Sequence, residues 1–302
     1  MQSPCRLIST FAARLAFDVP CSLFAARWVK ATKCQRSPTD AAINNQYANH
    51  CGGGLRLLAQ LLSAVVPFSL LLSVTAEARD WNTIKSGGTI VAATEGGFQP
   101  FNYYEGKQLT GFEVELAEAL AKKLALKLEW KVVPFDAQLA ALQQDRFDFA
   151  IASHGYTEER AKAVDFANPH YCTGGQIAAY KDGPLTVSAL NGKTVGVQLA
   201  TSYADAARKI AGIKEIKTYK GDPEAFSALR AKKVNAWISD KFTVKATLDK
   251  NANAGIVPGE MVFVERVSMI LRKNNKELAD KLNQALADVM KDGTYQNLSQ
   301  KY

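Results

Sequence analysis

The residue patterns that usually reveal an enzyme are missing from this sequence. No Gly-x-Ser-x-Gly, His-Glu-x-x-His, Cys-x-x-Cys or Gly-x-Gly-x-x-Gly motif occurs. The segment LNGKT (190–194) resembles the end of a phosphate-binding loop, but that motif requires glycine where this chain has Val187. After residue 78 the histidines are His154 and His170, too few for a His-based metal site. The sequence therefore predicts no catalytic residue, no metal site and no cofactor.

The distribution of charge argues against a nucleic-acid partner. The chain of 302 residues has a formal net charge of +8. Residues 1–78 hold seven Lys or Arg and three Asp or Glu, so half of the surplus lies in the first quarter of the chain. The remaining residues carry thirty basic and twenty-six acidic side chains, without a basic run. A surplus this small and dispersed is typical of solubility charge and not of a phosphate-binding surface.

The most hydrophobic segment indicates where the protein works. It runs from Leu57 to Val74, follows Arg56 and precedes Ala76-Glu77-Ala78. A basic residue, a short apolar run and a small-x-small site are the three regions of a secretory signal peptide. We therefore predict a signal peptide over 55–78, cleaved between Ala78 and Arg79; an uncleaved anchor or an apolar core helix are the alternatives. No cysteine follows the run at the cleavage site, so we expect an unlipidated, periplasmic protein.

The residues before the predicted signal peptide fit no export signal. Residues 1–54 are rich in arginine and poor in acids, with weak periodicity. We predict that this extension lies upstream of the true start, which would be Leu55 on an alternative start codon. A genuine presequence with a targeting role is the alternative.

Beyond residue 88, strand patterns alternate with helix patterns. Short apolar runs at 89–94, 147–153, 194–198, 216–219 and 236–239 predict strands. Helical periodicity over 111–125 places Phe112, Leu116 and Leu120 on one face, so the acids of this helix are expected to face solvent. Another helix is predicted over 276–291, with Gly293 as the left-handed residue that terminates it. Asp222-Pro223-Glu224 predicts the start of a further helix, capped by Asp222. This is an α/β pattern with mainly parallel sheets in two lobes, and ligand sites of such sheets lie at the carboxyl ends of the strands.

Six segments in order carry a family resemblance: TEGGF (94–98), GFEVEL (111–116), VPFDAQLAALQ (133–143), ASHGYTEER (152–160), GKTVGVQLATS (192–202) and VNAWISD (234–240). They are similar to the family-3 extracytoplasmic solute-binding proteins, the polar amino-acid receptors of ABC importers. The resemblance covers about Thr89 to Tyr302. It implies a type II periplasmic-binding-protein fold, with lobe 1 formed by 79–173 and 266–302, lobe 2 by 174–265, and a ligand cleft between them.

The resemblance also implies a role for each matching residue. Arg160 takes the position that clamps the ligand carboxylate, and guanidinium forms two parallel bonds to such a group. Asp240 matches the ammonium partner, Phe98 and Phe135 match two aromatics that enclose the ligand side chain, and Glu95 would meet its far end. The remaining expected contacts are backbone or side-chain groups of Ser153, Gly155, Gln198, Thr201 and Ser202. His154 and Gln138 are further possible pocket residues. Gly155 stands where relatives usually carry Ser or Thr.

A glutamate between two aromatic residues favours a basic ligand. Arginine leads, followed by lysine, histidine and glutamine, because charge pairing and stacking on aromatic faces both stabilise a cation. The resemblance implies a monomer that closes by a hinge near 172–178 and 262–268 and delivers the amino acid to a membrane permease. A cyclohexadienyl or arogenate dehydratase on the same fold, or the ligand-sensing part of a signalling receptor, remain alternatives.

Overall fold

The computed structural model describes residues 79–302. The predicted extension (1–54), signal peptide (55–78) and its cleavage site at Ala78 lie outside or at the edge of this range, and they stay predictions. Within 79–302, no helix is both long and apolar enough to cross a membrane.

Helices and strands alternate along the described residues. The helices are α1 Trp81–Gly87, α2 Phe112–Lys123, α3 Gln138–Gln143, α4 Glu158–Ala163, α5 Ser202–Lys209, α6 Asp222–Arg230, α7 Lys241–Lys250, α8 Lys276–Lys291 and α9 Thr294–Lys301. The strands are β1 Thr89–Thr94, β2 Gly97–Phe98, β3 Asn102–Glu105, β4 Gln108–Thr110, β5 Lys127–Val132, β6 Phe149–Ala150, β7 Val164–Thr173, β8 Gly175–Tyr180, β9 Thr194–Gln198, β10 Glu215–Tyr219, β11 Ala236–Asp240, β12 Ile256–Met261 and β13 Glu265–Arg272.

Two five-stranded sheets form the framework of the two lobes. The first has the order β5-β1-β6-β13-β7, and the second has the order β10-β9-β11-β8-β12. In each sheet the first three strands in this order pair parallel, and the fourth strand pairs antiparallel with both of its neighbours, so four of the five strands run in one direction. The expected two-lobed α/β fold is therefore confirmed, with mixed sheets. A small antiparallel sheet of β2, β3 and β4 extends the first lobe.

The chain passes between the two sheets at two short segments. Gly174 separates β7 from β8, and residues 262–264 separate β12 from β13. The two crossings lie side by side because Glu265 pairs with Thr173 across β13 and β7. β13 thus begins one residue before the predicted boundary at 266.

The amphipathic helices form where the apolar periodicity predicts them. Helix α8 begins and ends at the predicted residues and buries one face, and Gly293 follows it in the left-handed conformation with φ of 83°. One capping prediction was wrong: α6 begins at Asp222 and its N-cap is Gly221. The buried Asp222 carboxylate instead accepts a hydrogen bond of 3.1 Å from Trp237 Nε1. A buried indole N–H requires an acceptor, and the helix start places this carboxylate within reach.

Candidate functional site

A cavity of about 240 Å³, including its open mouth, lies between the two lobes. Its lining consists of Glu95, Phe98, Phe135, Ala152, Ser153, Gln198, Thr201, Ser202 and Tyr203. Seven of the ten predicted binding residues are thereby brought together. Gly155, Arg160 and Asp240 do not line this cavity. Ala152 and Tyr203 were not predicted; their positions directly before Ser153 and after Ser202 could have indicated them.

Strand ends position most of the polar side chains. Glu95 follows β1, Ser153 is the third residue after β6, Gln198 ends β9 and Asp240 ends β11. Thr201 caps α5: its hydroxyl accepts from Ala204 N at 3.2 Å and donates to Gln198 O at 2.7 Å. The cavity therefore lies at the carboxyl ends of parallel strands of both sheets, where open α/β sheets usually bind ligands.

Arg160 extends from one lobe to the other. Thr157 caps the short helix α4 by accepting from Arg160 N at 3.1 Å, which fixes the start of the Arg160 side chain. The guanidinium donates from Nη1 to Gly155 O at 2.8 Å and from Nη2 to Ala200 O at 2.7 Å. It also lies 5.5 Å from the centre of the Phe135 ring. Burial lowers the pKa of Arg160, and the nearby Glu265 carboxylate partly opposes this shift.

Glu95 faces the second lobe across the cavity. Its Oε1 accepts a hydrogen bond of 2.5 Å from Gln198 Nε2, which also donates to Lys220 O at 3.3 Å. Burial and the charge of Asp222 raise the pKa of Glu95 to about 8. The carboxyl group is therefore largely protonated at neutral pH unless a cation approaches it.

The carboxylate of Asp240 is occupied by protein groups. Oδ1 accepts from Phe242 N at 2.7 Å and from Thr243 N at 3.2 Å, so Asp240 is the N-cap of α7. Oδ2 accepts a short hydrogen bond from the Thr173 hydroxyl. The side chain is fully buried, and burial raises its pKa to about 7. Its predicted role as an ammonium partner thus competes with a structural role as a helix cap.

A buried network lies behind the cavity wall and is centred on Glu113 of α2. Its carboxylate accepts hydrogen bonds from Ser153 N (2.8 Å), Ser153 Oγ (3.0 Å), Asn102 Nδ2 (2.9 Å) and His170 Nε2 (3.0 Å). Glu113 has no exposed surface, so the expectation that the acids of this helix face solvent was wrong for this residue. The signal was present, because Glu113 lies three residues before Leu116 and therefore on the apolar face.

The network holds the loop that enters the site. Ser153 adopts φ of 59°, a conformation that is costly for a residue with a Cβ. Its two bonds to Glu113 compensate for that cost. His154 follows with both ring nitrogens buried and its ring 4.8 Å from that of Phe135, and burial keeps its pKa well below the usual value. Gln138 is also buried and donates to Val133 O at 2.9 Å. His154 and Gln138 thus support the cavity wall without lining it.

One residue near the cleft had no sequence signal: Glu265, at the start of β13. It is 8% exposed, and a Cβ added to Gly155 would lie 1.8 Å from Glu265 Oε2. Gly155 therefore leaves the space that the glutamate side chain fills. Among residues 79–302, no group of His, Cys, Asp and Glu is arranged to hold a metal ion.

Comparison with known proteins places the chain in a family. Residues 90–302 match the model of the bacterial extracellular solute-binding proteins, family 3. The L-cystine-binding protein TcyJ of Escherichia coli (strain K12) is 34% identical over 226 residues, which cover 73% of this chain and 85% of TcyJ.

Among the solved structures that resemble the described fold, two are informative about ligands. An ancestral arginine-binding protein bound to arginine has a TM-score of 0.69 and 37% identity, covering 71% of this chain and 98% of its own. The ancestral amino acid-binding protein AncCDT-1, a precursor of cyclohexadienyl dehydratase, has a TM-score of 0.69 and 31% identity, covering 73% of this chain and 98% of its own. The chain belongs to the family-3 bacterial extracellular solute-binding proteins.

Proposed function

We propose that this protein is a periplasmic receptor that binds one polar L-amino acid between its lobes and delivers it to an ABC importer. The observation that carries the proposal is the arrangement of the cleft. Glu95 and the N-terminus of α5 line one cavity at the strand ends, and the buried guanidinium of Arg160 donates to Ala200 O directly before that helix. An α-amino acid presents an anion, a cation and a side chain within a few ångströms, and this arrangement offers a partner for each.

The ligand carboxylate would bind between Arg160 and the start of α5. Guanidinium has five N–H donors, and two of them form the bonds to Gly155 O and Ala200 O. The others remain for a carboxylate. The free N–H groups at the start of α5, near Ser202, add partial positive charge at the same place.

The ligand side chain would extend toward Glu95, between Phe98 and Phe135. This favours a cationic or strongly polar side chain, with arginine first and lysine, histidine and glutamine following. TcyJ binds L-cystine according to its name. The far end of cystine is a second α-amino acid group, whose ammonium could pair with Glu95 and whose carboxylate would need another partner. Glutamate and aspartate are disfavoured because they would place a carboxylate opposite Glu95 without an accompanying ammonium group.

Closure of the cleft would couple binding to transport. Gly174 and residues 262–264 are the two crossings about which the lobes would rotate. Ligand bound to both lobes stabilises the closed form through contacts that the open form lacks. A membrane permease would then recognise the closed monomer, after export through the predicted signal peptide.

A thermal-shift screen tests this proposal. The protein would be produced in a host that exports it, and its melting temperature measured with each of the twenty L-amino acids and L-cystine. A ligand at 100 times its Kd adds about 2.7 kcal/mol, which corresponds to a rise of roughly 5–10 °C. Arg160→Ala should remove the shift, whereas the exposed Arg146→Ala should keep it. The absence of any shift with all these compounds would refute the proposal.

A dehydratase is the second candidate, and one observation favours it. Glu95 has a pKa of about 8, so it can hold a proton at neutral pH and donate it to a leaving group in the cleft. Turnover of prephenate or arogenate, measured by the release of the aromatic product, separates the two functions. Product formation that Glu95→Gln abolishes would support the enzyme.

A further inference from the structure

The carboxylate of Glu265 is buried in the cleft region without a hydrogen-bond partner of normal geometry on either oxygen. Its side chain is more than nine-tenths buried, at the start of β13 where the chain returns to the first lobe. A buried carboxylate without full pairing is costly, and a cation bound beside it would offset that cost. The family resemblance assigned no role to Glu265.

The surroundings of Glu265 are those expected for the head group of an amino acid. On one side lies Gly155, whose missing Cβ leaves room for Oε2. On the other side lie Ser202 and Tyr203, which line the cavity and whose hydroxyl groups approach the carboxylate. The charge of Arg160 acts on Glu265 from the same region. Glu265 is therefore adjacent to the proposed position of the ligand carboxylate.

Asp240 is the other acid available to an ammonium group, and it is poorly suited to act alone. Three protein donors already occupy its two oxygens, and a carboxylate accepts about four hydrogen bonds in total. The Glu265 charge is also among the causes that raise the pKa of Asp240, so the two carboxylates oppose each other's ionisation. A cation placed between them would relieve that repulsion.

We propose that Glu265 receives the α-ammonium group of the ligand, as a second anionic partner beside Asp240. The inference rests on the proposed function, since it assumes that the ligand is an α-amino acid. The α-carboxylate and α-ammonium groups share one carbon atom, so their partners must be neighbours. Arg160 and Glu265 meet that requirement.

The test compares an amino acid with its analogue in which hydrogen replaces the α-ammonium group. The probe is the amino acid that stabilises the wild type most in the screen. For L-arginine the analogue is 5-guanidinopentanoate, and for L-lysine it is 6-aminohexanoate. Calorimetry measures both affinities for the wild type, Glu265→Gln, Asp240→Asn and the exposed control Glu277→Gln.

Glu265→Gln should weaken binding of the amino acid roughly 30-fold or more, because a buried ammonium loses its charged partner. Its affinity for the analogue should change less than about threefold, so the preference for the ammonium group collapses. Glu277→Gln should leave both affinities unchanged. The ratio of the two affinities is insensitive to a general loss of stability, which keeps the result interpretable if Glu265→Gln folds less well.

Three results would overturn the inference. Glu265→Gln could bind the amino acid as tightly as the wild type, or it could lose the amino acid and the analogue equally, which would indicate a packing role. It could also bind both more tightly, which would mean that Glu265 competes with the ligand carboxylate for Arg160. If the wild type binds no amino acid at all, the proposed function fails and the inference fails with it.

Discussion

Replacing Glu113 with glutamine tests whether the buried network supports the site. The carboxylate accepts four hydrogen bonds from three residues and has no exposed surface itself. Glutamine keeps the shape of the side chain but turns one acceptor oxygen into an NH₂ group. The substitution therefore isolates hydrogen bonding from packing.

The cost follows from the donors that the amide would meet. An amide nitrogen at the Oε2 position faces Asn102 Nδ2, and turning the Asn102 amide would break its bond from Gly96 N to Oδ1 at 3.0 Å. An amide nitrogen at the Oε1 position faces Ser153 N, which cannot rotate, and His170 Nε2. Either way, one or two buried donors lose their acceptor, at about 1–3 kcal/mol each. We expect a loss of roughly 2–5 kcal/mol.

Thermal and urea unfolding of the ligand-free protein measure this loss. For a domain of this size it corresponds to a melting temperature lower by roughly 5–15 °C. Glu118→Gln, at an exposed position of the same helix, is the matched control and should shift the melting temperature by less than about 2 °C. The Glu113 variant should also bind its ligand more weakly, because Ser153 loses the bonds that hold its left-handed conformation. A Glu113→Gln protein as stable as the Glu118→Gln control would refute this reasoning.

Three further predictions concern the cleft. Arg160→Lys should lose more than about tenfold in ligand affinity by calorimetry because ammonium cannot form the two parallel bonds of guanidinium, whereas Arg146→Lys should match the wild type. The affinity for a basic amino acid should rise with pH toward about 8, where Glu95 ionises, and a Glu95→Gln variant should lose this dependence. In the ligand-free protein, folding stability depends on pH in the opposite direction. The pKa of Glu95 in the folded state lies above its ordinary value of 4.5, so its contribution to the free energy of unfolding falls as the pH rises from about 4.5 to 8, which urea titrations can follow. Gly155→Ala should lower the free energy of unfolding by about 1–3 kcal/mol because the new Cβ clashes with Glu265. Adding Glu265→Ala should restore most of that stability, and a double variant as unstable as Gly155→Ala would show that the strain lies elsewhere.

Periodicity and strand punctuation predicted the parallel part of the framework but indicated none of β7, β8, β12 and β13. Helix α8 begins and ends where its apolar face predicts, and the strand runs at 89–94 and 194–198 are strands β1 and β9. These features depend on local pattern, which a sequence displays directly. Asp222 shows the limit of local pattern. Its position before Pro223 suggested a helix cap, but its carboxylate instead accepts a hydrogen bond from the indole of Trp237 on β11.

The family resemblance and the ends of predicted strands indicated the residues that line the cavity, whereas no sequence signal indicated Glu265, which lies where the chain returns to the first sheet. Glu95, Ser153 and Gln198 follow or end apolar runs, and the structure brings all three to one cavity. Glu265 instead meets Gly155 only because β13 pairs beside the 154–156 segment, through a bridge between Gly155 and Val267. A contact between residues 110 positions apart depends on topology, and no local pattern indicates it.

The acids around the cleft together favour a basic or strongly polar ligand. Burial is the largest cause of the raised pKa at Glu95, Asp222, Asp240 and Glu265, so each of these groups is more easily protonated than in water. Among these four groups Arg160 acts on Glu265, and the pKa of Glu265 remains raised in its presence. A ligand that brings ammonium or guanidinium groups offsets this uncompensated burial, and it does so more strongly when the lobes close and exclude water. An additional ligand carboxylate would have the opposite effect. The same burial that makes the empty cleft costly would therefore make its closed form selective for cations.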